Sequence, residues 1–148
     1  MIFLFSLFIG VLFFLQRGAA DHHEQALEGC RNIGKTGFED EGYRAFLYAV
    51  IAMTAGYGPE LNYYCQREKE AVTWETKDQV TPPEGTTLLE YSPADWREKY
   101  GIKKYYYEFL LDAGKILGKE LKEAPANKTT IGCKFDDYKK KKILCFSL

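Results

Sequence analysis

At 148 residues and a formal net charge of −1, the chain has room for one core and carries too little charge to be built around nucleic acid or an anionic membrane. Its 11 tyrosines and 10 phenylalanines suit either a core or a sticky surface. None of its 4 cysteines forms a CxxC pair, which argues against zinc-ribbon and thioredoxin chemistry.

The chain begins with an apolar run, Ile2 to Leu15, followed by Gln16-Arg17-Gly18-Ala19-Ala20. The run is shorter than the ~20 residues a membrane-spanning helix needs and fits the apolar region of a signal peptide. Gly18 and Ala20 supply the small residues a cleavage site wants at −3 and −1, although no Lys or Arg precedes the run. The expectation is a secreted, extracellular protein with residues 1–20 removed and no membrane span afterwards; a retained signal anchor is the rival. Secretion makes Cys30, Cys65, Cys133 and Cys145 candidates for two disulfides, with three possible pairings.

Residues 21–37 are polar and read as an irregular N-terminal arm, tethered through Cys30. Cleavage after Ala20 would expose Asp21-His22-His23, a free amine with a histidine third in line. That set suits square-planar Cu(II) or Ni(II), against the plainer reading of two solvated histidines.

A first helix follows from Tyr43, Phe46, Leu47, Val50, Ile51 and Thr54 at helical spacing. Acidic Glu39, Asp40 and Glu41 favour its start, and Gly56 and Gly58-Pro59 stop it. A second helix is expected from Pro59-Glu60 to Glu75, since proline is tolerated in a first turn. Residues 76–87 read as a loop and Thr86–Tyr91 as a short strand. Ser92-Pro93-Ala94-Asp95 caps a short helix, Ala94 to Tyr100, which Gly101 ends.

Tyr106, Phe109, Leu110, Ala113, Leu117 and Leu121 then recur at helical spacing, where Gly114 and Gly118 each weaken the helix by ~1 kcal/mol relative to Ala. Pro125 ends it. Asn127-Lys128-Thr129 is a sequon placing a candidate glycan on Asn127. A terminal hairpin pairs Thr129–Phe135 with Lys142–Phe146. Its basic turn, Lys139 to Lys142, reads as a solvated tip, or as a weak patch for anionic glycans or lipid headgroups. Helices flanking a few strands give an α+β class.

Chemistry is sparse. Glu68, Glu70, Glu75, Asp95, Glu98, Glu108 and Asp112 are scattered over amphipathic helices and read as solvated faces. His22 and His23 are the only histidines, so no Ser-His-Asp or Cys-His arrangement can be assembled in the body.

The order of motifs resembles the CAP superfamily, nearest to the nematode activation-associated secreted (SCP/TAPS) proteins. Glu60, Leu61, Tyr63, Cys65, Glu68, Ala71 and Trp74 match that family's E-L-x-Y/W-D-C-x-L-E-x-x-A-x-x-W segment. Asp95-Trp96-Arg97-Glu98-Lys99-Tyr100-Gly101 loosely follows its Trp-x-x-Glu…Tyr-Gly helix. Gly118 and the stretch Ala126 to Cys133 match the late signature ending in N-T-T-K-I-G-C, and Leu144-Cys145-Phe146 stands for the closing V-C-x-Y.

The resemblance spans residues 38–148. It implies a small disulfide-stapled α-β-α sandwich with a C-terminal β-hairpin, pairing Cys133 with Cys145 across the hairpin and Cys30 with Cys65. The family's cleft histidines fall on Val50-Ile51 and on Lys119, so the resemblance implies a scaffold without the family's metal ligands. A lysine ammonium cannot replace a neutral imidazole at neutral pH. The expected function is therefore non-enzymatic: no catalytic residue, cofactor or metal, and an extracellular protein partner at a parasite–host interface. A lipid or sterol carrier, lined by the first helix or by Phe109–Leu121, is the first alternative. An enzyme with a rebuilt metal-dependent or carboxylate cleft is the second.

Overall fold

In the computed structural model, which describes residues 30, 37–57, 60–76, 81–100, 106–124, 129–136 and 142–148, the first apolar stripe forms helix α1, Glu41–Ala55. Asp40 caps it by accepting the Gly42 N–H at 2.7 Å. Gly56 closes it with φ 78°, a left-handed conformation that favours glycine, and its N–H donates to the Met53 carbonyl.

The remaining elements in chain order are β1 (Asn62–Tyr63), α2 (Cys65–Thr76), β2 (Thr87–Tyr91), α3 (Trp96–Tyr100), α4 (Tyr106–Glu123), β3 (Thr130–Asp136) and β4 (Lys142–Ser147). The four strands form one sheet in the order β1-β3-β4-β2. β1 runs parallel to β3; β4 is antiparallel to both β3 and β2.

Period-two alternation divides the sheet's faces. Ile131, Cys133, Ile143, Cys145, Leu89 and Tyr91 belong to the main core, together with α1 and α4. Leu144 and Phe146 form a second core with Ala71 of α2, backed by Trp74 and Leu88. The fold is thus mixed α+β, with helices on both faces of a small sheet. Two disulfides join Cys30 to Cys65 and Cys133 to Cys145.

One boundary differs from expectation. The segment after Pro59-Glu60 is not yet helical: Asn62 and Tyr63 pair with Thr130 and Ile131, and α2 begins only at Cys65. Leu61 and Tyr63 are both buried, a spacing of two that suits an extended chain. The β3 edge offers partners to match, with Asn62 N–H donating to the Thr129 carbonyl and Tyr64 N–H to that of Ile131. Edge pairing outweighs the local helix signal.

Three glycines set the helix positions. A Cβ on Gly114 would lie 2.6 Å from Val50 Cγ1, and one on Gly118 would lie 2.6 Å from Thr54 Cβ. The two glycines therefore let α4 press against α1, which runs alongside in the same direction. Their propensity cost is offset by contacts that alanine would obstruct. On the other face, a Cβ on Gly132 would lie 2.2 Å from the backbone nitrogen of Glu68. Gly132 seats the start of α2 directly on β3.

Candidate functional site

The close seat of α2 delivers Glu68 into the interior. Its Oε1 accepts the Gly37 N–H at 2.7 Å and Arg44 Nη2 at 3.0 Å; its Oε2 accepts Arg44 Nε at 2.7 Å and the Tyr63 hydroxyl at 2.5 Å. The side chains of Arg44 and Glu68 are 1% and 0% exposed. The Tyr63 oxygen in turn accepts the Cys133 N–H at 3.2 Å. The ring of Phe38 lies 5.5 Å from the Arg44 guanidinium carbon. One small cluster thus ties α1, β1, α2, β3 and the segment at Gly37 together.

Its protonation states are fixed by its surroundings. Burial works against the Arg44 charge, but the hydrogen bond and charge of Glu68 outweigh it and hold the guanidinium above its ordinary pKa. Burial pushes the Tyr63 phenol well above its ordinary value, and the Glu68 carboxylate adds to that. Tyr48 donates to the Leu61 carbonyl nearby, and its burial raises it to about 12. The Glu68 carboxylate is engaged by four donors, out of contact with water. The solvated face expected for Glu68 is corrected: a buried Arg44 partner compensates its charge, and sequence spacing alone gave no sign of that pairing.

A second cluster lies at the surface, where α3 meets α4 and β2. Tyr100 donates to Asp112 Oδ2 at 2.7 Å, and Lys99 Nζ stands 2.8 Å from the same oxygen. Because Tyr100 spends its one proton there, Tyr91 is the donor across the 2.7 Å contact between the two phenols. Burial favours a protonated Asp112, but hydrogen bonds from Lys99 and Tyr100 and the charges of Lys99 and Lys115 outweigh it, lowering the pKa. Lys99 is raised, chiefly by its hydrogen bond to Asp112. Burial, then the bonds to Tyr91 and Asp112, push Tyr100 far up. The group holds the Asp112 carboxylate ionised and the Tyr100 phenol protonated.

The remaining candidates lie apart. Glu70 pairs with Arg67 at 2.5 Å along α2. Asp95 supplies backbone acceptors at the start of α3, and Glu98 and Glu108 are exposed. The side chain of Glu75 is outside the described residues, as are His22, His23, Asn127 and residues 139–141. Lys142 lies on β4, 3.2 Å from Glu90. Among the described residues no three His, Cys, Asp or Glu side chains converge on a point that could hold a metal ion, and no helix is long and apolar enough to cross a membrane.

The two positions aligned with the family's histidines are not brought together. Val50 is 3% exposed and packs against Gly114, while Lys119 faces outward on α4. What α1 and α4 leave open is their outer seam. Met53 and Tyr107 are 41% and 43% exposed there, and the half-buried Phe46 meets Tyr107 edge-on at 5.1 Å. Tyr107 also meets Tyr43 at 5.2 Å. Sequence periodicity marked Phe46 as core and left Met53 unremarked. The available signal was a methionine beside the helix's apolar stripe, too weak to separate a surface from a core edge. Comparison with family models, characterised proteins and solved structures gives no match.

Proposed function

We propose that the chain is a secreted, non-enzymatic binding protein of CAP (SCP) type that acts on an extracellular protein partner. The observation that carries this is the outer edge of α1 and α4, where exposed Tyr107 meets the half-buried Phe46 and exposed Met53 stands about two turns further along α1. Exposed aromatic and methionine side chains are enriched at protein-docking surfaces. The strongest acid–base groups, by contrast, are occupied by one another.

The CAP-like reading draws on the motifs at residues 60–74 and 126–133, on helices covering both faces of the sheet, and on disulfides pairing as that resemblance implies. It also supports a partner at a parasite–host interface. Secretion is supported by the apolar leader and the two disulfides. The carrier alternative gains nothing from α1 and α4, because these helices close on each other at Gly114 and Gly118 instead of lining a groove between them.

The test is capture from host plasma by the immobilised, disulfide-bonded mature chain, beside the Met53→Asp variant. A discrete plasma protein retained by the native chain and lost with Met53→Asp supports the reading. Extraction of a fluorescent sterol, with no plasma protein retained, overturns it in favour of the carrier.

A further inference from the structure

The two edges of the sheet differ in how their main-chain groups are used. Along the β1 side, the outward groups of β3 are taken one after another. The Thr129 and Ile131 carbonyls accept from Asn62 and Tyr64, the Cys133 N–H donates to the Tyr63 hydroxyl at 3.2 Å, and the Phe135 N–H donates to the Gly37 carbonyl at 2.8 Å. The opposite edge is β2, and there the direction of each group follows from the ladder. Thr130 and Leu148 exchange both N–H···O bonds at 3.1 Å, so the bonded pairs between β3 and β4 continue as Gly132–Phe146, Lys134–Leu144 and Asp136–Lys142. The main-chain groups of Ile143, Cys145 and Ser147 therefore turn to β2 and meet those of Tyr91, Leu89 and Thr87. Leu88 and Glu90 point their N–H and C=O groups the other way, and among the described residues nothing bonds to them. No proline, lysine or bulge blunts Thr87–Tyr91, and its one charge, Glu90, is paired with Lys142 at 3.2 Å.

We propose that β2 pairs with the β2 of a second copy of the chain, antiparallel across a two-fold axis at Leu88, joining the two four-stranded sheets into one. The register follows from the outward groups and the side chains beside them. An axis at Glu90 sets two carboxylates face to face, and like charges directly opposite are destabilising. An axis at Leu89 sets Leu88 against Glu90. An axis at Leu88 sets that leucine against its own copy and Thr86 against Glu90. Leu88 then exchanges both its bonds with the Leu88 of the second copy, and each Glu90 N–H reaches the Thr86 carbonyl across the axis. Leu88 is half-buried and backs the second core of Ala71, Leu144 and Phe146, so the leucine pair continues that core from one copy to the other. On the opposite face the same register places Gly85, with no side chain, beside the buried Tyr91.

The pairing needs only the main chain at the edge, so Leu89 and Tyr91 keep their places in the main core. An edge of 5 residues buries less than the ~1,200 Å² of a standard interface, so the dimer is weak and reversible. Resting on main-chain bonds and a leucine pair, it is nearly indifferent to salt. It uses the sheet edge and not the α1–α4 face, and so stands or falls apart from the partner reading.

Sedimentation equilibrium of the disulfide-bonded mature chain from micromolar to millimolar, with amide exchange followed residue by residue by NMR, tests it. The native chain dimerises as concentration rises. The Leu88 and Glu90 amides exchange quickly in the dilute monomer and slow on dimerisation, whereas those of Leu89 and Tyr91, already bonded to β4, are protected throughout. Glu90→Pro removes an outward N–H without touching the ladder to β4 and weakens self-association by ~10-fold or more. Glu90→Ala loses the same side chain, keeps the N–H, and dimerises like the native chain. Leu88→Lys, which sets like charges opposite one another at the axis, weakens the dimer by a separate route. Circular dichroism identifies the variants that are folded. A native chain that stays monomeric at millimolar concentration overturns the proposal. So does a dimer whose Leu88 and Glu90 amides exchange as they do in the monomer, or one that folded Leu88→Lys or Glu90→Pro leaves intact.

Discussion

Two clusters in this molecule are built from the same parts, a cation, a carboxylate and tyrosine hydroxyls, and they do different things. Arg44, Glu68 and Tyr63 are sealed between α1, α2 and the sheet; Lys99, Asp112 and Tyr100 stand at the surface where α3 meets α4. The first has given up its water, so each of its bonds replaces a hydration bond that cannot be recovered. The second is 49% and 33% exposed at Lys99 and Asp112, and water stands ready to replace whatever is lost. Burial, more than composition, decides which cluster is a structural keystone and which is a loose latch.

The sharpest way to break that comparison is at Glu68. Glu68→Gln leaves Arg44 charged in the interior without its counter-charge and costs about 3–5 kcal/mol, read as a shift in the urea midpoint followed by circular dichroism. Replacing both partners, Arg44→Met with Glu68→Leu, recovers most of that loss, because it removes two desolvation penalties together. Gly132→Ala attacks the same cluster through its seat. The added methyl must displace the α2 backbone at Glu68, which costs about 1–3 kcal/mol, read in the same titration. Tyr63→Phe removes one of the four donors to Glu68 and leaves the Cys133 N–H unpaired, for about 1–3 kcal/mol.

The surface cluster falls at the small end of the scale. Asp112→Asn changes stability by less than about 1 kcal/mol, and half-molar salt erases most of the difference. A cost comparable to that of Glu68→Gln would abolish the distinction drawn between the two clusters.

The pH response draws on both clusters, since Tyr100 at the surface is raised in the fold as Tyr63 is in the interior. The folded-state pKa values of Tyr48 and Tyr63 lie above their unfolded value of 10.0, Tyr48 at about 12. Between those values the folded chain binds more protons than the unfolded one, so stability falls as pH rises through that window and is fully present below it. Asp112, lowered in the fold, contributes above its unfolded value of 3.8 and loses that contribution as pH falls through its depressed folded value. Thermal melts are expected to hold near neutrality, drop steeply between pH 10 and about 12, and decline only slightly on the acid side from Asp112.

How far the sequence could be read follows the same line between local and distant causes. The α1 stripe, its Asp40 and Gly56 ends, the strand near Leu88 and the terminal hairpin are written in spacing and capping, which are local. The β1 edge is not, because Asn62 and Tyr63 become a strand only when Thr130 and Ile131 are beside them. The Arg44–Glu68 pair joins residues 24 apart in sequence through a seat that depends on Gly132, and no periodicity encodes it. Gly114 and Gly118 read as weak points in isolation and become contact points once α1 is present. The seam was half legible: Tyr43 and Phe46 could be placed in the first helix's stripe, but which of them would remain in water depended on the helix pairing.

The proposal to be tested is that this protein binds a partner through the α1–α4 face, while its buried Arg44–Glu68 cluster holds the fold. Capture from host plasma by the immobilised Met53→Asp chain, beside the Arg44→Met, Glu68→Leu chain, puts it to the test. The account predicts that the first, though folded, loses the plasma protein and that the second retains it. Retention by Met53→Asp, or loss when the buried pair is replaced in a folded chain, would contradict it.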